Sequence, residues 1–287
     1  MRHPEPLSHS RRSSWLNATW LALAVTLLTA SAARATDFEQ DPIKYSDSKP
    51  ENIITRLQTQ LDAGQVQLSF DDKFGYLPAV LKALKVPTES QTLVFSKTSF
   101  QRDLISPRTP RAVYFNDHTY IGWCQGGPVV EVATVDPKLG GVFYVLSQEE
   151  TEKPKFVRQT HECLQCHDSP LTGRVPGHMM RSVYSDAAGQ PIFTAGTYLS
   201  TDQSPMTEKF GGWYVTGQHG GMRHLGNTMF TTAQTNGTLD LERGANVTDL
   251  APKVDLKPYL TKHSDIVALL VNAHQTHLHN LITRAGY

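Results

Sequence analysis

The sequence predicts a single α+β domain, mostly antiparallel sheet with an N-terminal pair of helices, one short helix in mid-chain and an amphipathic helix at the end. Three observations support this. Helical periods occur at both ends of the domain, β-type runs punctuated by Pro, Gly and Asn-Asp fill the middle, and no internal repeat or linker divides the chain. At 287 residues and 39% hydrophobic, the chain is long enough to bury a core of its own.

Residues 1–35 read as a secretory signal peptide and not as fold. A basic start ending at Arg11 and Arg12 precedes an apolar stretch, 15–30, and then small residues ending in Ala33-Arg34-Ala35. Asn17 and Thr19 interrupt a run already shorter than the ~20 residues a membrane span needs, so cleavage after Ala35 is expected, with no transmembrane segment in the mature chain. Ser10-Arg11-Arg12 hints at a twin-arginine signal, but Ser13-Ser14 stand where that pattern wants a large apolar residue. The mature protein is expected to be periplasmic or otherwise exported.

Net charge is zero over the full chain. Loss of the leader takes four arginines and one glutamate, leaving 23 basic and 26 acidic residues, a balance without bias toward nucleic acid or an anionic membrane.

Residues 36–50 are polar and predict an extended, irregular arm before a domain over 51–287. Ile53, Ile54, Leu57 and Leu61 then recur on one helical face, with Gly64 as the stop, and a second helix is predicted over 78–85, with Pro78 in its first turn. Strands are predicted at 92–95, 111–115, 119–124, 129–135 and 142–146, with Asn116-Asp117 as a hairpin turn. Further strands are predicted at 179–184, 192–198 and 213–216. The last helix is predicted from an N-cap at Ser264 to Ala285, with Gly286 ending it. On it Val267, Leu270, Val271, Leu278 and Leu281 form an apolar arc expected to face the core, with His274 near its centre, His277 at the edge and His279 outside.

The chemistry is concentrated in Cys163-Leu164-Gln165-Cys166-His167, a C-x-x-C-H pattern of the kind that attaches c-type haem. In one helical turn, cysteines at i and i+3 lie on the same side and can each form a thioether to one haem vinyl group, while the adjacent histidine reaches the iron. With three cysteines and twelve histidines, chance placement gives this pattern in about one such chain in a thousand. Cys163 and Cys166 are therefore the expected covalent haem c attachment residues and His167 the proximal iron ligand. Three other readings compete: a thioredoxin-type dithiol, which needs a strand-to-helix junction in a βαβ unit; a structural disulfide closing a tiny loop; and a zinc site from His161, Cys163, Cys166 and His167. Cys124 is expected to be a buried small hydrophobe.

Spacing fixes only the proximal side of the iron. For the distal side the candidates are His224, His219 and His274, with Met222 next; Met179 and Met180, after His178, are more distant possibilities. Arg158, Arg174, Arg181 and Arg223 are candidate propionate partners.

The chain also resembles the uncharacterised exported cytochrome c domain proteins of environmental bacteria. The stretches that carry the resemblance are Ile105-Ser106-Pro107-Arg108-Thr109-Pro110-Arg111, Asp136-Pro137-Lys138-Leu139-Gly140, the Cys163 to His167 motif, Pro176-Gly177-His178, and Gly211-Gly212-Trp213-Tyr214-Val215-Thr216-Gly217 leading to His219 and His224. The resemblance implies haem binding and electron transfer to a redox partner protein, slightly favours His219 and His224 over the methionines, and implies that related chains run on past Tyr287. It differs from small all-helical cytochrome c, because about 127 mature residues with β-type patterning precede Cys163. An electron carrier is the leading expectation. A haem enzyme of the peroxidase or small-molecule oxidation type with an open sixth iron position, or a haem-based gas sensor, stands beside it; whether the chain is an enzyme is left open.

Overall fold

The computed structural model describes residues 37–235 and 239–287, so the leader predicted over 1–35 lies outside the described residues. Residues 38–287 form one compact unit. Its centre is a seven-stranded antiparallel sheet of β1 (Thr92–Val94), β2 (Arg111–Phe115), β3 (Thr119–Trp123), β4 (Val129–Asp136), β5 (Gly140–Ser147), β6 (Phe156–Gln159) and β9 (Trp213–Tyr214), in the order β6-β5-β4-β3-β2-β1-β9. A separate hairpin joins β7 (Arg181–Val183) to β8 (Thr197–Leu199), and a single helical turn, α4 (Thr232–Thr235), follows β9.

Alternation along the strands gives the sheet two unlike faces. One carries Tyr114, Ile121, Val130, Val132, Val142, Tyr144 and Leu146 and packs on α1 (Ile53–Asp62) and α2 (Leu77–Ala83) through Ile54, Leu57, Leu77, Val80 and Leu81. Asn52 starts α1 by accepting from the amides of Ile54 and Thr55, and its amide group also donates to the Tyr144 hydroxyl, so the cap ties the helix to β5. The other face carries Val94, Val113 and Trp213, covered by Ile266, Leu269 and Ala273 of the final helix α5 (Ile266–Gly286) together with Met180 and Phe210. Farther along this second face lie Tyr120, Gly122, Glu131 and Phe143, as the strand register requires.

Three local expectations are corrected. The segment before Asn52 is not an extended arm: it runs through successive turns, buries Ile43 and Tyr45, and donates the Tyr45 hydroxyl to the Gly141 carbonyl at 2.8 Å. Strand β6 was not anticipated, because four residues at a sheet edge with Val157 exposed give too short an alternation to read. Of the stretch 192–198, only Thr197 and Tyr198 belong to a strand, after a 3-10 turn at Phe193–Ala195.

The largest correction concerns α5. Its N-cap is Asp265, which accepts from the amides of Val267 and Ala268; Ser264 instead bridges strands, donating to the Tyr214 carbonyl and accepting from the Leu93 amide. The helix is also turned the opposite way to its apolar arc. Val267, Val271, Leu278, Leu281 and Ile282 face outward, while Asn272, Thr276, Asn280 and Thr283 face the protein. Close backbone approach decides this orientation. A Cβ on Gly177 would overlap the Asn280 side chain, and one on Gly140 would overlap Thr283, so this stripe of the helix admits only small or hydrogen-bonding groups.

Among the described residues, no helix is long and apolar enough to cross a membrane.

The orientation of α5 makes a prediction for urea denaturation. Leu269→Ala, in the core, is expected to cost about 2–5 kcal/mol, whereas Leu281→Ala, on the outer face, is expected to change stability by less than about 0.5 kcal/mol. The reverse order would contradict this orientation.

Candidate functional site

The motif occupies one turn of helix, α3 (Leu164–His167), entered directly from edge strand β6 through a short bend. The His167 amide donates to the Cys163 carbonyl at 2.9 Å, which closes the turn and sets the two cysteines one turn apart. Leu164 is buried in the main core and anchors the turn, while Cys163 is half-buried, Cys166 exposed, and neither is in a disulfide.

After the turn the chain doubles back. Ser169 caps a 3-10 turn, Pro170–Thr172, and Thr172 donates to the Val175 carbonyl at 2.8 Å. This brings Gly177 against the motif in a two-way clasp. The Gly177 amide donates to the His167 carbonyl at 2.9 Å, and the His167 Nδ1 lies 2.8 Å from the Gly177 carbonyl. A carbonyl can only accept, so Nδ1 carries the proton and Nε2 keeps its lone pair. Burial then pushes the His167 pKa down, against the raising effect of that hydrogen bond, which holds the ring neutral. The imidazole also packs on Phe143, with ring centroids 4.6 Å apart.

Two charges on the sheet stand close to the motif. Arg111 on β2 and Glu131 on β4 meet at 2.5 Å across Gly122 of β3, where any side chain would overlap the guanidinium. Both charges act on Cys163 and on His167, and the Arg111 Nε is buried with no hydrogen-bond partner among the described residues. No local pattern signals this pair, because its members lie on separate strands and well before the motif. The four anticipated arginines are engaged elsewhere or exposed. Arg158 donates to the Tyr45 and Ser48 carbonyls, Arg223 binds Glu242 in a fork, Arg181 lies over the Phe193 ring, and Arg174 is exposed.

His178, which in the sequence neighbours two methionines and ends the Pro176-Gly177-His178 stretch, was not among the candidate ligands. It is buried, its Nε2 has no hydrogen-bond partner among the described residues, and its ring lies 4.7 Å from Tyr120, 5.8 Å from Phe143 and 5.9 Å from His279. Burial, reinforced by the neighbouring His167 and His279, holds its pKa far below the ordinary histidine value. Asn280 of α5 fixes this segment, accepting from the His178 amide at 2.8 Å and donating to its carbonyl at 2.7 Å.

The expected distal ligands do not gather here. His274 sits on the outer face of α5, its side chain 58% exposed and 3.7 Å from Asp202, because the helix is rotated away from its apolar arc. His219 and His224 face each other instead, with their Nε2 atoms 3.2 Å apart. The Asn246 amide donates to the His219 Nε2, and the Gly226 amide approaches the His224 Nδ1 at 3.1 Å, so the pair is already hydrogen-bonded. Their loop adjoins the first turn of α5, where Gly217 meets Ile266, while His178 is held by Asn280, fourteen residues and about 21 Å along the same helix. Met222 is 44% exposed, and Met180 belongs to the second core cluster.

The competing chemistries fit less well. A dithiol oxidoreductase lowers the pKa of its reactive cysteine, whereas burial pushes the Cys163 thiol up to about 12. The strand before the motif is an antiparallel edge, not part of a βαβ unit. Among the described residues, no three His, Cys, Asp or Glu side chains converge to hold a metal ion, which leaves the four-ligand zinc set without support. Cys124 is buried, as expected of a small hydrophobe.

Two predictions follow from this geometry. Asn280→Ala leaves the His178 amide and carbonyl unpaired in the interior and is expected to cost about 1–3 kcal/mol, read as a lower denaturation midpoint. For His224, burial first and the adjacent His219 second depress the pKa to about 4 from an ordinary 6.5. Its neutral form therefore stabilises the fold above pH 6.5, and this contribution, about 3 kcal/mol, is lost as the pH falls from 6.5 toward 4. His224→Gln should flatten the stability profile in that window, and an unchanged slope would contradict the assignment.

No protein-family model, no curated protein and no solved structure matches this chain.

Proposed function

We propose that this protein is an exported c-type cytochrome that carries one haem, joined by thioethers to Cys163 and Cys166 and ligated on its proximal side by His167, and that it passes electrons to a redox partner protein. The observation that carries this reading is the pairing of two unbridged thiols on one helical turn with an imidazole whose Nδ1 is held by the Gly177 carbonyl and whose Nε2 is left as a free base. The donor set fits the group, since a porphyrin supplies its own four nitrogens and asks the chain only for axial ligation and covalent anchorage. When bound, haem supplies a one-electron iron couple.

The chain's own residues do the rest. The Gly177 carbonyl orients the imidazole and strengthens it as a donor. Leu164 fixes the turn to the core, and Phe143 excludes water from one side of the ring. The unpartnered Nε of Arg111 suits a carboxylate such as a propionate.

One observation favours a second reading. His274 lies on the outer face of α5, and His219 and His224 are hydrogen-bonded to each other beside the first turn of that helix, about 21 Å along it from Asn280, which holds the segment after the motif. A haem held by His167 with none of these three side chains on its iron would suit oxidation of a small molecule or gas binding better than simple electron carriage.

The test is expression with the haem-attachment machinery, followed by denaturation. Pigment retained on the chain and a mass increase of one haem per polypeptide are expected, both lost in the Cys163→Ala/Cys166→Ala double variant; a bare polypeptide would sink the proposal. The resting optical spectrum separates the two readings, low-spin for a carrier and high-spin for an accessible iron.

A further inference from the structure

Most of the buried tyrosines whose hydroxyls are hydrogen-bonded direct them at groups that cannot take a proton. Tyr45, Tyr76, Tyr214 and Tyr259 donate to the carbonyls of Gly141, Thr151, Pro107 and Pro110, and Tyr114 donates to the Gln91 side-chain amide. Tyr120 differs. Its hydroxyl lies 3.0 Å from the Nδ1 of His279, and the Gln275 amide donates to the same oxygen at 3.0 Å. The His279 ring also hydrogen-bonds to the Asp117 backbone carbonyl, which can only accept, so the ring proton lies on Nε2, the Nδ1 serves as the acceptor and the Tyr120 hydroxyl donates to it. Gln275 is itself held by the Asn116 carbonyl at 2.6 Å.

The surroundings favour a neutral pair. Tyr120 is buried, and burial raises its pKa, so the phenol does not ionise by losing a proton to water. His279 is held below the ordinary histidine range by burial and by the adjacent His118, opposed by the Asp117 carbonyl and carboxylate. His178 packs on both partners, with ring centroids 4.7 Å from Tyr120 and 5.9 Å from His279. The other members around the pair are Phe115, 6.5 Å from Tyr120, and His118, 6.4 Å from His279.

We propose that Tyr120 and His279 form a proton-coupled redox pair, a site for one-electron oxidation of a phenol. An outer-sphere one-electron oxidant stronger than a phenol takes one electron from Tyr120. The O–H bond breaks as the proton moves to the His279 Nδ1, forming an N–H bond, and a neutral tyrosyl radical remains beside an imidazolium. The oxidant is reduced by one electron, and re-reduction of the radical returns the proton to oxygen. A base already in place removes the need to form a phenol radical cation inside the protein, where an unpaired charge is costly. This site does not depend on the haem reading, because every group in it belongs to the chain.

The experiment is flash oxidation of the full exported protein with photogenerated trivalent ruthenium tris-bipyridine, followed by electron paramagnetic resonance and transient absorption. A neutral tyrosyl signal is expected, with slower formation in deuterated water. In Tyr120→Phe the yield should fall about tenfold or more, and His279→Gln, which keeps a hydrogen-bond acceptor but not a base, should fall comparably. An unchanged yield in either folded variant overturns the proposal. If a variant does not fold, the unaltered protein still decides: the absence of a solvent isotope effect on radical formation excludes transfer of the proton to His279. Covalent haem attachment is read separately by denaturation, so failure of one proposal does not imitate failure of the other.

Discussion

The candidate site depends on one hydrogen-bonded clasp, the two-way contact between His167 and Gly177. It closes a ten-residue return of the chain, fixes which imidazole nitrogen bears the proton, and leaves the other as a base. Three features hold the clasp in turn. The Gly141 amide donates to the Pro176 carbonyl at 2.7 Å, Asn280 grips His178 by amide and carbonyl, and Gly177 itself has no side chain to force the helix away. A bulkier residue at 177 would displace α5 and loosen the imidazole together.

That constraint also explains the orientation of α5. Burying the apolar arc would have gained hydrophobic free energy, but it would have put leucines where backbone from two segments already lies in contact. The helix instead faces inward with Ile266, Leu269 and Ala273 at its start, where there is a core to fill, and with Thr276, Asn280 and Thr283 toward its end, where the neighbours are peptide groups. Polar side chains are the better solution at that end because Asn280 satisfies an amide and a carbonyl that would otherwise be buried unpaired.

The same face of the sheet collects the unusual electrostatics. Arg111 and Glu131 meet over Gly122 at one point, while Tyr120, His178 and His279 form a ring cluster at another, with Phe143 between His167 and His178. Burial sets the dominant direction for the titrating members of this cluster, so its imidazoles stay neutral and its tyrosine stays protonated. Neutral, preoriented donors and acceptors are what either ligation or proton transfer requires.

Sequence alone determined what is local. The β-type runs at 111–115, 119–124 and 129–135, bounded by Pro, Gly and Asn-Asp, specified strands to within a residue, although only the third alternates in burial, and the three-residue spacing of Cys163 and Cys166 specified a helical turn. The burial of Cys124 was legible from residue type, since a cysteine without a thiol partner behaves as a small hydrophobe. Only the tertiary structure decided which groups meet across the chain. It turned His274 outward, paired His219 with His224 away from the motif, and brought Gly177, Arg111 and His178 to it, although none of these carries a local pattern. The physical reason is that helix orientation and long-range contacts depend on the backbone clearance left by other segments, and clearance is a property of the packed molecule that no window of sequence contains.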